Sequence, residues 1–484
     1  MTSTEPRSAL TPAEHEGLSR AFEQTPSVFR LLSTLRTRRM GLGYWSETGR
    51  EETPAYAGGR PVVQEEGPLS YASEAPAVRL SELEEALIAW SAAGPNGIAA
   101  ADVPLHGDLS GLTNWSGRTA PSSSNGQSVH LFIINDDGVH LYRPGLERSA
   151  PLEIDGPEDY GKLLDWYRKS RVRVMDRRPD VGWSTAPPGT HNVRTMGPLQ
   201  YNLNRQGSTW FLPVGDIGIE WVNLLLSSYQ FSGFYLQDPE TDKPCGVDEW
   251  IKPGFLEVGF PIPTFDELAL MLHSSEAACM VQNIRLAAEA IGLGAWPIGG
   301  YSDDLLLGAY PEVARGLGFG HLERQPARNP SRTATCTGLP GILDATMTPN
   351  RRFPTAASLV EHVANLRYGS GAQLSPEDNW ALRSGGPFNE ETLQRILEHP
   401  RAHIPDWVIE AATATVKYLV EKYGCAPAYI NPVRAKFSAQ VHHVDLGFYR
   451  KFYAFKGTEP YLVTPQLRDH FRDWHPGTPD PSGG

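Results

Sequence analysis

One stretch constrains this chain more than any other: Arg118 to Ile134, RTAPSSSNGQSVHLFII. Val129 to Ile134 is β-branched and aromatic, the composition of a buried strand. Pro121 to Gln127 is short, polar and turn-forming, so it bends the chain and exposes hydroxyls, amides and backbone N–H groups. A polar loop feeding a buried strand holds its donors on a rigid base. That suits a planar ligand with a hydrogen-bonding edge, although Ser-rich loops before strands are common and most bind nothing. Asn135-Asp136-Asp137-Gly138 then reads as a turn and Val139 to Tyr142 as a returning strand, which predicts a hairpin.

A second stretch runs from Ser274 to Tyr301. Ala277, Val281, Ile284, Ala288 and Ile291 recur at steps of four and three, the buried face of a helix. Ser274 reads as its N-cap, with Glu276 in the first turn. Gly292 and Gly294 read as its end. Trp296-Pro297-Ile298-Gly299-Gly300-Tyr301 follows, where glycine permits close backbone approach to a ligand.

The remaining chain is read more coarsely. A helical pattern over 14–39 passes through Leu18, Phe22, Val28, Leu31, Leu32 and Leu35 and ends in Arg36, Arg38 and Arg39. The plain reading of those arginines is a solvated helix end whose cations favour the dipole. Residues 46–79 read as a long loop. Ser81-Glu82-Leu83-Glu84 is a capping box opening a helix that stops at Gly94-Pro95. Helices are expected over 160–169 and 217–228. The aromatics Trp183, Tyr201, Trp210, Phe211, Tyr229, Phe231, Phe234 and Tyr235 suit a core better than a pocket. A helix from Asp406 stops at Gly424. Lys417-Tyr418 and Lys422-Tyr423 read as its surface. His442-His443 invites a metal reading, but adjacent histidines point apart on a strand and lie about 100° apart on a helix, so no metal site is assigned. The tail from Pro476 is Pro/Gly/Ser-rich and reads as disordered.

Composition narrows the classes. With 484 residues, 40% hydrophobic and 20% charged, the chain has ample material for a large core. A net charge of −13 argues against a nucleic-acid surface. No apolar run approaches membrane-span length, and the N-terminus lacks a basic-then-apolar signal pattern. Four scattered cysteines without CxxC spacing fit a reduced, cytoplasmic protein without a structural zinc site.

The two opening stretches together resemble the flavin-dependent nitroreductase superfamily. That family has a P-S-S-x-N-x-Q loop running into a strand, then a Gln-Asn helix ending in G-L-G, then P-I-x-G-[FY]. Here these are Pro121 to Gln127 and Gln282 to Tyr301, in the family's order. The family also opens with R-R-S-x-R-x-[FY]. Arg38, Arg39 and Tyr44 match it, but Met40 replaces the serine and Gly43 the second arginine. Asn350-Arg351-Arg352-Phe353-Pro354 stands where the family often carries a second basic phosphate contact. The hairpin and its neighbours also look like the azoline-oxidising branch, although its catalytic Lys-Tyr pair has no clear place here.

The resemblance implies an α+β fold: a nitroreductase-like three-layer α-β-α sandwich with a mixed, mostly antiparallel sheet. Its two core parts would be 14–149 and 266–369, with an insertion or lid over 150–265 and a helical C-terminal extension over 370–475. It implies bound FMN, with no Gly-rich strand-to-helix turn for a dinucleotide. Arg38, Arg39 and Arg352 would meet the phosphate. Asn125, with Ser122, Ser123 and Gln127 nearby, would meet the pyrimidine edge. Backbone at Pro297, Gly299 and Gly300 would face the ring. No protein nucleophile is required, because the flavin carries the redox chemistry. The implied activity is a ping-pong oxidoreductase that takes electrons from NAD(P)H and reduces an electron-poor small molecule, as a homodimer. Two alternatives stay open: a dehydrogenase or oxidase acting on an azoline-like natural-product intermediate, and a non-catalytic binding or scaffold protein on the same fold.

Overall fold

The computed structural model describes residues 10–23, 25–46, 67–98, 116–144, 154, 159–179, 202–312, 316–322, 334–368, 389–398 and 403–482. Trp183, Tyr201, most of the expected 46–79 loop and the first part of the expected C-terminal extension lie outside them.

The chain opens with helices α1 (Pro12–Glu23) and α2 (Val28–Thr34), followed by α3 (Glu82–Ala93). The single helix expected over 14–39 is thus two, with an extended segment after them. Pro26 explains the break, since it lacks an amide hydrogen and drives the preceding residue out of helical geometry. A short pair, β1 (Pro95–Ile98) and β2 (Ser116–Arg118), leads to the hairpin β3 (Val129–Asn135) and β4 (Gly138–Tyr142). Asn135 pairs with Gly138, so Asp136 and Asp137 alone make the turn. Next come α4 (Tyr160–Ser170), β5 (Arg171–Met175), β6 (Thr209–Asp216) and α5 (Ile217–Ser227). A parallel pair follows, β7 (Phe234–Gln237) and β8 (Val258–Pro261).

Helix α6 spans Ile262–Ala290, and β9 (Gly294–Ile298) follows it. The helix starts well before Ser274, whose hydroxyl donates back to Leu270 O at 2.7 Å rather than capping anything. Glu276 therefore sits in the middle of the helix. The predicted buried face is correct: Ala277, Val281, Ile284 and Ala288 are all core. Gly292, at φ +82°, turns the chain out of the helix.

The remaining pieces include α7 (Asp303–Leu307), β10 (Gly320–Leu322), β11 (Thr335–Leu339), β12 (Leu343–Asp344), α8 (Ala356–Tyr368), helix Asp406–Tyr423, β13 (Val433–Arg434), β14 (Ser438–His442) and helix Pro465–Trp474.

The main sheet runs β5-β4-β3-β6-β14-β9, with β13 also on β6, and every pairing in it is antiparallel. Two boundaries from the sequence reading need correction. Strand β6 belongs to the presumed insertion and β14 to the presumed extension, yet both lie inside the sheet. Val129, Leu131, Ile133, Phe211 and Ala439 face a core built with α3, α4 and α6. Phe132, Ile134, Trp210, Leu212 and Trp296 face the other way, against α7 and the small sheet β10-β11-β12. The second face is therefore covered, among the described residues, by a small sheet and a short helix instead of the second helical layer of an α-β-α sandwich. A third core joins α5, the start of α6, α8 and helix Asp406–Tyr423. Among the described residues no helix is long and apolar enough to cross a membrane.

Candidate functional site

Strand register shows which predicted residues share a neighbourhood. Val129 pairs with Gly215, Gly215 with Arg434, and Ile298 with Ser438. The loop that enters β3, the junction of β6 with α5, and the exit of β9 toward Gly299 therefore all lie at one end of the sheet. Three strand spacings separate β3 from β9, about 14 Å. That width matches the length of a flat tricyclic ligand laid across the strand ends.

The Pro121–Gln127 loop is held in place by its own side chains. Ser122 Oγ accepts from Gln127 N at 3.1 Å, and Asn125 N donates to Ser122 O at 3.1 Å. Asn125 and Gln127 both have positive φ, +49° and +48°. Gln127 Nε2 donates to Asn125 Oδ1 at 3.0 Å, and both residues are buried. Ser123 Oγ lies 3.2 Å from Ser275 Oγ on α6.

Two buried carboxylates form the floor beneath the loop. Ser124 Oγ donates to Glu220 of α5, 2.5 and 2.6 Å from its two oxygens. Glu276 of α6 accepts the Val129 amide at 3.2 Å and stands 3.8 Å from Arg118 Nη1. Burial pushes Glu220 up to about 7; the Ser124 hydroxyl pulls against it and the charge of Glu276 adds to it. Burial also raises Glu276, with Arg118 opposing. A carboxyl near 7 exchanges protons at neutral pH. Glu220 did not stand out in the sequence, because it is the one acid of α5 and its partner is on another element, and Glu276 reads there only as a first-turn acid.

The end of β6 adds three more groups. Asp216 accepts from Thr346 N at 3.0 Å and Thr346 Oγ1 at 2.7 Å. Burial lifts it to about 7, opposed by Thr346, the Gly218 amide and the charge of Arg352. Arg352, exposed, thus belongs to this end of the sheet. His273 of α6 fills the space that Gly215 leaves open, since a Cβ there would fall 1.6 Å from its Cε1. Its Nδ1 is buried with no hydrogen-bond partner among the described residues, as is Ser128 Oγ. Burial, reinforced by the charge of Arg434, pushes His273 down to about 4, so the ring is neutral.

The two arginines after α2 diverge. Arg38 is buried and its guanidinium is occupied by Glu289 of α6, with Nε to Oε2 at 3.3 Å and Nη2 to Oε1 at 3.2 Å. Arg39 is exposed and lies 4.0 Å above the ring of Trp296 in β9. Gly299 is three residues further on, about 10 Å along the strand. Pro297 sits on β9, the edge of the sheet, where a missing amide hydrogen is tolerated. Gly299 and Gly300 are exposed beyond it. An FMN fits this set in part. Arg39 and Arg352 offer exposed cations, the glycines leave backbone accessible, and His273 and Ser128 supply buried polar atoms. Arg38 is turned to a carboxylate.

Other predicted features land elsewhere. Trp210, Phe211 and Tyr229 are core, as expected. Tyr423, expected on the surface, is buried, and Tyr418, Lys422 and Tyr423 all bond the carboxylate of Asp238. Lys417 is exposed and pairs with Glu421. The tail is tied down in part, with Arg450 Nη1 donating to Ser482 O at 3.0 Å. His442 and His443 do point apart: His442 is packed against Gly41, Gly294 and Tyr44, while His443 faces Glu84. A cavity of about 340 Å³ lined by Arg79, Glu85, Asn135 and Thr209 lies at the opposite end of the sheet, by the hairpin turn.

No known family profile matches the chain, and no curated protein matches it. Among solved structures it is similar to a provisionally named nitroreductase from Ralstonia eutropha, at 14% identity over 54% of this chain and 87% of that one, with a TM-score of 0.22. A likeness that distant carries no weight for fold or function.

Proposed function

We propose that this chain is an FMN-dependent oxidoreductase of the nitroreductase type, with its flavin at the sheet end that gathers the Pro121–Gln127 loop, Gly299–Gly300 and Arg352. The observation that carries the reading is the register. Two motifs far apart in sequence, each matching the family, emerge at the same end of one sheet. Bound flavin would supply hydride transfer between NAD(P)H and an electron-poor small molecule. The protein's part is to bind and orient it. Arg39 and Arg352 would hold the phosphate, and Asn125, kept rigid by Gln127, the pyrimidine edge. Glu220 would store or release a proton beneath the loop. The reading includes a homodimer, for which the exposed Val28, Phe29 and Leu32 of α2 offer an apolar face. It also includes a cytoplasmic setting. Titration of FMN into flavin-free protein tests the assignment: saturable binding that weakens in Arg39→Ala and Arg352→Ala supports it, and folded protein that takes up no flavin overturns it.

One observation favours a second reading, a scaffold that does not use flavin. Glu289 neutralises the arginine that the motif reserves for the phosphate. Under that reading the loop's hydroxyls and amides serve only each other, and substitutions there change stability alone.

A further inference from the structure

Glu84, His443, His470 and His475 converge on one point, far apart in sequence and away from the proposed flavin site. One donor atom from each lies within 4.8 Å of every other. Glu84 Oε1 is 2.9 Å from His475 Nε2, 3.0 Å from His470 Nε2 and 3.5 Å from His443 Nε2. The Nε2 atoms of His443 and His475 are 3.2 Å apart. Zinc held tetrahedrally at about 2.0–2.1 Å by nitrogen and oxygen places its donors about 3.3 Å from one another. The measured separations scatter around that value.

The surroundings fix which atoms face inward. His443 Nδ1 lies 3.0 Å from Val78 O and His470 Nδ1 lies 2.7 Å from Ile291 O. A carbonyl only accepts, so each Nδ1 carries a hydrogen, and it is Nε2 of each ring that turns toward Glu84. His470 Nε2 is buried and, despite its 3.0 Å approach to Oε1, makes no hydrogen bond. Glu84 is oriented too. It is the acid of the capping box of α3, and its Oε2 accepts the Ser81 amide at 2.6 Å, which leaves Oε1 for the histidines. Three Nε2 atoms converge on one carboxylate oxygen, which pairs with His475 but leaves the buried His470 Nε2 without a hydrogen bond, and a cation at the centre would satisfy all four groups. Ring N–H groups tied to backbone carbonyls are also the outer shell that metal-bound histidines need.

We infer that these four side chains form a closed, four-coordinate zinc site that ties the C-terminal segment to the body of the protein. Three imidazoles and one carboxylate suit Zn²⁺ better than Ca²⁺ or Mg²⁺, which prefer all-oxygen shells. Four protein ligands leave no open position, so the role is structural. The site joins the start of α3, the end of β14, the middle of helix Pro465–Trp474 and the residue that caps it. Glu84 and His475 are 391 positions apart, so the metal closes a very long loop. The reading departs from the sequence expectation of no metal site. The argument against His442 and His443 as a pair holds, but His443 finds its partners on a distant helix.

The test uses the full chain, stripped with chelator and dialysed against Zn²⁺, with bound metal counted by elemental analysis. One equivalent per chain is expected, and Co²⁺ in its place should give the intense visible bands of a tetrahedral site. Glu84→Gln keeps the cap, since glutamine also serves in a capping box, but should lose most of the bound zinc. His475→Ala, at the partly exposed edge, should do the same without unfolding the core. Chelation should speed amide exchange in helix Pro465–Trp474 and leave β3 unchanged. Folded wild type that retains no zinc, or zinc retained undiminished by both variants, overturns the inference.

Discussion

The guanidinium of Arg38 meets the carboxylate of Glu289 edge to edge, at 3.2 and 3.3 Å, with both residues buried. Arg39, the next residue, turns the other way onto Trp296. Neighbours in sequence therefore have separate duties. Arg38→Ala leaves Glu289 as an uncompensated buried charge, at a cost of roughly 3–5 kcal/mol in stability. Arg39→Ala should lose roughly 0.5–1 kcal/mol for its contact with Trp296 and weaken FMN binding. Denaturant melts and flavin titrations of the two variants should show opposite patterns; an Arg38→Ala protein of wild-type stability would contradict the assignment.

Asn125 combines a buried amide with a left-handed backbone. Asn125→Ala removes the acceptor of Gln127 Nε2 and the proposed flavin contacts, so FMN affinity should fall by roughly 1–3 kcal/mol, about tenfold to a hundredfold. Asn125→Asp should lose more on reduction, because its charge opposes the reduced ring. Isothermal titration with FMN separates this from a purely local role, in which flavin-free stability falls and affinity per folded molecule stays the same.

Glu220 makes stability depend on pH. Its pKa in the fold, about 7, lies above the ordinary carboxyl value. A raised pKa means that the folded state holds the proton more tightly, so the contribution is fully present below about 4.3 and is lost as pH rises to 7. Wild type should lose roughly 3–4 kcal/mol across that window from this group. Glu220→Gln still accepts from Ser124 and has no charge to bury, so it should be the more stable protein at pH 8 and show a flatter profile. Parallel pH dependences in the two proteins would refute this.

Gly215 leaves room for the ring of His273. Gly215→Ala must displace that imidazole, at a cost of roughly 1–3 kcal/mol by overpacking. The His273 ring resonances should shift more than those of His130 on the other side of the sheet.

Local features were legible in the sequence. The hairpin turn at Asp136-Asp137, the capping box at Ser81 and the buried face of α6 each depend on residues a few positions apart, and each stands where the pattern placed it. Long-range pairings were not. Nothing near Arg38 points to Glu289, 251 positions away. Strand β14 sits in a segment read as helical, and its place between β6 and β9 depends on partners more than a hundred residues upstream. His470 and His475 looked like scattered histidines because their companions lie just past β14 and on α3. The start of α6 was missed because Ser274 resembles a cap, although the apolar positions Ile262, Phe265 and Ala269 continue the helix before it.

The central claim is that the sheet end carrying the Pro121–Gln127 loop and Gly299–Gly300 binds FMN. Its most direct test is the visible absorption and fluorescence of the purified full chain titrated with FMN. The account predicts saturable binding at one flavin per chain, a shifted and structured flavin band, and bleaching on addition of NADH or NADPH. A folded protein whose added FMN keeps the spectrum of free flavin throughout the titration would contradict it.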